Sequence, residues 1–156
     1  MDRQQVESKI TEYLTHILEL TEIPAQMSVE YSETEGVPHF DVDISSEETN
    51  LLIGYHGETL NSLQHCLSST LHKNFEEKFS VLVDVSGYRK ERTEKLRQVA
   101  HSAAEKALGL QKSIGLYPMN SYERKVIHEE VSKIEGVTSA SDGEGRDRRV
   151  IISPAT

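Results

Sequence analysis

The stretch that decides the fold is LLIGYHGETLNSLQHC, residues 51–66, in which two glycines flank Tyr55 and His56. An apolar tripeptide precedes the first glycine, and leucines at helical spacing follow the second. Glycine at Gly54 and Gly57 permits positive φ and lets a ligand approach the backbone without a Cβ. The backbone amides in the first turn of the next helix would point outward and could donate to a phosphate oxygen. Glu58 lies at the same helix end, where its carboxylate either caps the helix or competes with the phosphate. A tight helix-turn-helix corner is the alternative.

The elements around this turn alternate between helix and strand. Periodicity predicts a helix from about Arg3 to Leu20 and a second helix after Gly57 to about Phe75. Between them, Met27 to Tyr31 and Pro38 to Ile44 predict two strands with SETEG as the turn. SSEETN offers Ser and Asn as caps for a short helix ending at Gly54, and FSVLVDV predicts a third strand.

The second half repeats this mixture on a smaller scale. A long helix is predicted from Tyr88 to Leu108, and SIGLYPMN reads as a short strand and turn. Asn120 or Ser121 can cap the next helix, which should run to about Ile134. A closing hairpin is predicted from Val137–Ala140, the turn SDGEG and Arg148–Ile152.

Charge divides the chain near Gly87. Residues 1–86 carry four Lys and Arg against sixteen Asp and Glu, a net −12, whereas residues 87–156 carry thirteen against ten, a net +3. This asymmetry predicts two domains, 1–86 and 87–156. No apolar run could span a bilayer and no secretory leader is evident, so we expect no membrane insertion and a cytoplasmic location. Cys66 is the sole cysteine, and its apolar stripe predicts a buried thiol.

A second candidate site lies in NSYERKVIHEEV, where Arg124 and His128 are four residues apart and share a helix face. Arg can grip a phosphate with two parallel N–H bonds, and a His one turn away adds a donor or a stacking ring. The alternative is an exposed Arg beside a His that packs locally. A basic cluster at Arg146, Arg148 and Arg149 either extends such a surface or keeps an edge strand soluble.

The order of elements around LLIG and GETLNSLQ resembles a type II KH domain, a three-stranded sheet with helices on one face. The resemblance implies that Gly54, Tyr55, His56 and Gly57 clamp the backbone of about four nucleotides, with a groove between the following helix and the third strand. The middle residues are often basic in that family, so Tyr55 and His56 imply a weaker clamp, in which Tyr55 stacks on a base and His56 gains charge near an anion.

The string LYPMNSYERKVIHEEV, followed by the hairpin DGEGRDRRVIISP, resembles the R3H domain, a small α/β domain that binds single-stranded nucleic acid. KH followed by R3H resembles the bacterial Jag family, also called KhpB or SpoIIIJ-associated proteins. This implies a noncatalytic protein that binds single-stranded RNA, or single-stranded DNA, with a small KH-domain partner and a post-transcriptional role in cell elongation, division or sporulation. Family members usually carry a further N-terminal domain and linker, which we do not see in these residues.

Other residues favour no enzyme. The seven histidines include no metal-binding pair at i, i+4 and the chain has no cysteine cluster, so we expect neither a metal nor another cofactor. Asp41 and Asp43 lie two residues apart on a strand, and we expect them on its solvated face. The alternative is a hydrolase in which these two carboxylates carry out acid–base catalysis. The competing function is an acidic protein-interaction module whose KH half has lost RNA.

Overall fold

The computed structural model describes residues 2–155 and divides the chain into two compact units, the first ending at Arg89 and the second beginning at Lys90. This division falls in the first turn of a long helix, Tyr88–Leu110. Within residues 2–155, no helix is both long enough and apolar enough to cross a membrane.

The first unit has the α+β architecture that the sequence predicts. The elements in chain order are α1 (Arg3–Leu20), β1 (Ala25–Thr34), β2 (Val37–Ser46), α2 (Thr49–Ile53), a 3₁₀ turn (Tyr55–Gly57), α3 (Glu58–Asn74) and β3 (Ser80–Val85). The sheet has the order β1-β2-β3, with β1 and β2 antiparallel and β2 and β3 parallel, so β3 forms an edge.

One face of this sheet carries the core of the unit. Alternate residues of β2 and β3 point inward, as the period of two requires, and meet the apolar stripes of α1 and α3. Each fully buried aliphatic or aromatic side chain contributes about 1.5–3 kcal/mol. The inward set comprises Phe40, Val42, Ile44, Val81, Val83 and Val85 from the strands, and Val6, Ile10, Leu14, Leu60, Leu67 and Leu71 from the helices.

The β1–β2 turn is tighter than SETEG predicts. Strand pairing continues through Thr34 and Val37, leaving a turn of Glu35 and Gly36. Both residues have positive φ, 54° and 77°, which is the two-residue turn whose twist matches antiparallel strands. The five-residue turn was therefore a wrong prediction, because it assumed that the polar residues could not pair.

The predicted caps of α2 were also wrong. The helix begins at Thr49 with Glu48 at the N-cap, and no side chain caps it. The hydroxyl of Ser46 instead donates to the carbonyl of Pro24 and accepts from the amide of Glu48, at 2.7 and 3.0 Å. Ser46 thus ties the segment before α2 to the start of β1.

The second unit packs two helices on a small antiparallel sheet of three strands, in which the last strand of the chain lies in the middle. Asn120 caps its second helix as predicted, accepting from the amide of Glu123 at 2.9 Å, but that helix ends at Val131 rather than Ile134 because single turns follow. The elements are α4 (Tyr88–Leu110), β4 (Ile114–Gly115), α5 (Ser121–Val131), β5 (Val137–Asp142), a 3₁₀ turn (Gly145–Asp147) and β6 (Arg149–Pro154).

A buried ion pair joins α4 to α5 in this unit. The Nε of Arg92 lies 2.7 Å from Oε1 of Glu123, and the exposed fractions of the two side chains are 15% and 4%. Glu123 is the buried charged residue among those described. Water cannot screen the pair, so each partner depends on the other.

Candidate nucleic-acid interface

The backbone of the Gly54–Gly57 turn requires both glycines. Gly54 has φ 71° and ψ −171°, and Gly57 has φ 83° and ψ 12°. A Cβ on Gly54 would lie 2.1 Å from Oγ1 of Thr59 and 3.0 Å from its amide nitrogen. A Cβ on Gly57 would lie 3.0 Å from Cε1 of Tyr88. Local packing therefore accounts for both glycines, whether or not a ligand binds.

Two of the amides that the sequence predicts to face a phosphate form hydrogen bonds within the turn. The amide of Gly57 donates to the carbonyl of Gly54, and the amide of Glu58 donates to the carbonyl of Tyr55. The first turn of a helix still contains amides without an intrahelical acceptor, and Thr59 lies in that turn. The Thr59 side chain packs directly against Gly54, with its hydroxyl oxygen 2.1 Å from the place that a Cβ would take, and the residue is otherwise exposed. Fewer backbone amides therefore remain for an anion than the sequence predicts.

The middle residues of the turn offer rings rather than charge. Tyr55 is 74% exposed, and its ring centroid lies 4.0 Å from that of His56 in an edge-to-face arrangement. His56 is half-buried and adopts φ 50°, an uncommon conformation outside glycine. Tyr55 can therefore offer a stacking surface to a base with little rearrangement.

Arg89 supplies a cation beside this turn that sequence reasoning missed. Its Nε donates to the carbonyl of Val83 at 2.8 Å, and its Nη1 donates to Oδ1 of Asn61, in the first turn of α3, at 3.2 Å. Arg89 is the last residue of the first compact unit, three residues beyond the limit at residue 86 that the charge pattern predicts. When a strand packs antiparallel to the helix before it, the residues after the strand lie near the start of that helix. The predicted helix after Gly57 and the predicted third strand therefore contained the information needed to place Arg89 near the turn.

Arg124 and His128 share one face of α5, as predicted. The Nη1 of Arg124 donates to the carbonyl of Met119 at 2.7 Å, which uses one of the five guanidinium donors. Both ring nitrogens of His128 are engaged by β5, at 2.7 Å from Oγ of Ser139 and 2.8 Å from Oγ of Ser141. Burial, and secondly the Arg124 charge, hold the pKa of His128 below its ordinary value. The ring is therefore neutral near pH 7.

The basic cluster of the last hairpin lies close to Arg124 along a chain of hydrogen bonds. Met119, whose carbonyl accepts from Arg124, donates its own amide to the carbonyl of Arg148 at 3.1 Å. Arg146, Arg148 and Arg149 are all exposed. Of the two interpretations left open above, this proximity favours an extension of the Arg124 surface.

Two other predictions concern the first unit. Cys66 is exposed, so the expectation of a buried thiol was wrong. The apolar stripe of α3 is narrow, and Cys66, one residue before the buried Leu67, is rotated about 100° away from it. Asp41 and Asp43 lie exposed on the outer sheet face, as expected. Residues 2–155 contain no group of three or more His, Cys, Asp or Glu side chains that could hold a metal ion.

Comparison with known families covers both units. A model described as "KhpA/KhpB, KH domain" matches residues 7–85, and a model described as "R3H domain" matches residues 94–154. A protein from Clostridium symbiosum named RNA-binding protein KhpB is 34% identical over 151 residues, which is 97% of this chain and 67% of that relative. The chain belongs to the KhpB family.

Further KhpB relatives show the same correspondence. RNA-binding protein KhpB of Streptococcus pneumoniae serotype 2 is 30% identical over 97% of this chain and 45% of its own length. The Bacillus subtilis protein of that name is 39% identical over 70% of this chain and 54% of its own length. The chain thus spans about two thirds, or about half, of the KhpB proteins that it matches. Neither matched domain family is enzymatic.

Proposed function

We propose that this chain is a noncatalytic protein that binds single-stranded RNA through both its KH and its R3H regions. The observation that carries the proposal is the match of both domain models to a single chain whose relatives are named RNA-binding protein KhpB. We also propose domain limits of 1–86 and 87–156 for the two regions.

The first unit is proposed to hold a short stretch of RNA weakly. The exposed Thr59, in the first turn of α3, can donate a hydrogen bond to one phosphate oxygen, Arg89 adds a nearby cation, and the exposed Tyr55 ring can stack on a base. Against these contacts stands the net charge of −12 over residues 1–86, which repels a polyanion within the screening length of about 8 Å at physiological salt. His56 is proposed to support the Tyr55 ring, since the two ring centroids lie 4.0 Å apart.

The second unit is proposed to contribute most of the affinity. Arg124 is anchored through one nitrogen and retains other donors for a phosphate, in a unit with a basic balance. His128 is neutral and bound through both ring nitrogens, so we assign it the positioning of α5 against β5 and a ring face for stacking.

Replacing Arg124 tests the main contact. Arg124→Ala should weaken binding to single-stranded RNA by about tenfold or more, since charge-assisted hydrogen bonds are each worth about 1.5–3 kcal/mol. The matched control is Lys125→Ala, which removes the same charge one position along, from a side chain that is 73% exposed and paired with Glu129. Titrations of fluorescent RNA at one stated salt concentration measure both variants.

Equal effects of Arg124→Ala and Lys125→Ala would show that only net charge matters and would refute the assigned contact. Because Arg124 also holds the Met119 carbonyl, circular dichroism must show that its variant stays folded. Tyr55→Ala tests the first unit in the same way, with Leu82→Ala, which also removes an exposed apolar side chain but lies outside residues 51–66 and 120–133, as its control.

A protein-interaction module is the second candidate, and the outer face of the first sheet favours it. Glu30 pairs with Asp41, and Asp43 pairs with the half-buried Asp84, so three adjacent strands place carboxylates on this face beside the exposed Leu82. Salt separates the two functions. RNA binding must weaken steeply as salt rises, because bound phosphates release counterions. A flat salt response would favour the protein-interaction module.

The wider role is proposed from the family alone. We propose post-transcriptional regulation linked to cell elongation, division or sporulation, together with a small KH-domain protein as partner. Crosslinking of RNA to the protein in cells, with mapping of the crosslinked peptides, tests whether residues 51–66 and 120–133 both contact RNA. Crosslinks confined to other segments would contradict the site assignments.

A further inference from the structure

No strand within residues 2–155 pairs with the outer edge of β3, and side chains of the same unit bond its backbone groups instead. Along this edge, the carbonyl of Phe79 faces Nε2 of His72 at 3.3 Å, and the carbonyl of Val83 accepts from Nε of Arg89 at 2.8 Å. Between these two contacts, the edge is bonded by the carboxamide of Gln64. The groove between α3 and β3 is thus lined by polar groups that are already paired.

Gln64 forms the central contact and uses its whole amide. Its Nε2 donates to the carbonyl of Val81 at 2.7 Å and to Oγ of Ser68 at 2.9 Å. Its Oε1 accepts from the amide of Val83 at 2.6 Å. The backbone partners require this orientation, since a carbonyl can only accept and an N–H can only donate.

A nucleobase could make the same pair of hydrogen bonds, donating to the Val81 carbonyl and accepting from the Val83 amide. Every base carries a hydrogen-bond donor next to an acceptor on its pairing edge, and a carboxamide carries the same two groups. A base entering the groove would have to displace Gln64 and would then restore the two bonds that its entry had broken. Such an exchange yields almost no net hydrogen-bond energy.

We infer that Gln64 occupies the place of a nucleobase on the edge of β3, so that the KH region holds RNA by its backbone without reading bases there. Gln64 is therefore the residue that sets the base dependence of this region. The inference rests on the proposed function, because it concerns how that same region would bind RNA. The covered edge also blocks strand addition by a protein partner at β3.

The test compares a short single-stranded RNA with an abasic ribose-phosphate chain of equal length on the intact protein. For each variant, the ratio of the abasic Kd to the RNA Kd measures base dependence. Gln64→Ala opens the two backbone groups to a base, and two new hydrogen bonds should raise this ratio about fivefold or more over the parent protein. Ser68→Ala is the matched control, since it removes only the third bond of the amide and should leave the ratio unchanged.

Hydrogen exchange of the Val83 amide tests the contact without RNA. Exchange should be faster in Gln64→Ala than in the parent protein, and added RNA should slow it again only in the variant. Gln64→Ser, whose side chain is too short to reach either backbone group, provides a second variant if Gln64→Ala does not fold.

An unchanged Kd ratio in a folded Gln64 variant, or unchanged exchange of Val83, would overturn the inference while leaving RNA binding intact. If the parent protein binds neither oligonucleotide at low salt, the proposed function fails and the inference fails with it. These results are distinct, because the first changes only base dependence and the second removes all binding.

Discussion

Adding a single methyl group at Gly57 should destabilise the first unit more than the same change at another left-handed glycine. Gly57 has φ 83° and lies under Tyr88, so that a Cβ would come within 3.0 Å of Cε1 and 3.3 Å of the hydroxyl oxygen. Gly36 in the β1–β2 turn has φ 77° and nothing within 4 Å of the corresponding position. Gly57→Ala and Gly36→Ala therefore share the backbone strain and differ in crowding.

The two contributions can be separated in magnitude. Left-handed backbone at a residue with a Cβ costs about 1–2 kcal/mol, which is the expected loss for Gly36→Ala. Overpacking against a ring adds about 1–3 kcal/mol. We thus expect Gly57→Ala to lower the free energy of unfolding by about 2–5 kcal/mol. Combining it with Tyr88→Ala should cost less than the sum of the single changes, because the crowded ring is gone.

The assay is hydrogen exchange of β2 and β3 amides across a urea series, which reports the stability of the first unit alone. Equal losses for Gly57→Ala and Gly36→Ala, or strict additivity with Tyr88→Ala, would refute the packing argument. Glycine variants of the turn are therefore unsuitable for testing RNA contacts, because a loss of RNA binding would reflect a distorted backbone rather than a lost contact. Tyr55 is the better position for testing the clamp.

Three further predictions concern single side chains. Arg92→Met should destabilise the second unit by about 3–5 kcal/mol by leaving Glu123 buried without its partner, and adding Glu123→Leu should recover most of this in urea unfolding. Because the pKa of His128 is lowered by folding, stability should be full above its ordinary value of 6.5 and fall as pH drops below it; His128→Asn should flatten this dependence in thermal melts across that pH range. Cys66 should react with a thiol reagent as fast in native as in unfolded protein, and marked protection would contradict its exposure.

Periodicity predicted the longer helices and strands of this chain. Spacing of three and four residues marked α1, α3 and α4, and alternation marked β2 and β3, because burial of one face imposes those periods on any sequence. The cap at Asn120 and the glycines of the turn were equally visible, since both depend on local backbone chemistry. Family membership followed from the order of these elements and their motifs.

Contacts between distant segments could not be read from spacing. Gln64 bonds Val81 and Val83, seventeen and nineteen residues away, and nothing in its own neighbourhood distinguishes it from a solvated glutamine. The same holds for Arg89, which lies beside α3 only because β3 packs back along that helix.

The sequence by itself thus determined the two domains, their element order and the candidate residues Gly54–Gly57, Arg124 and His128. Tertiary structure alone decided that both ring nitrogens of His128 contact serines of β5 and that Gln64 and Arg89 cover the free edge of β3. The physical reason is that periodic burial is encoded locally, whereas a hydrogen bond across the fold depends on where two remote segments meet.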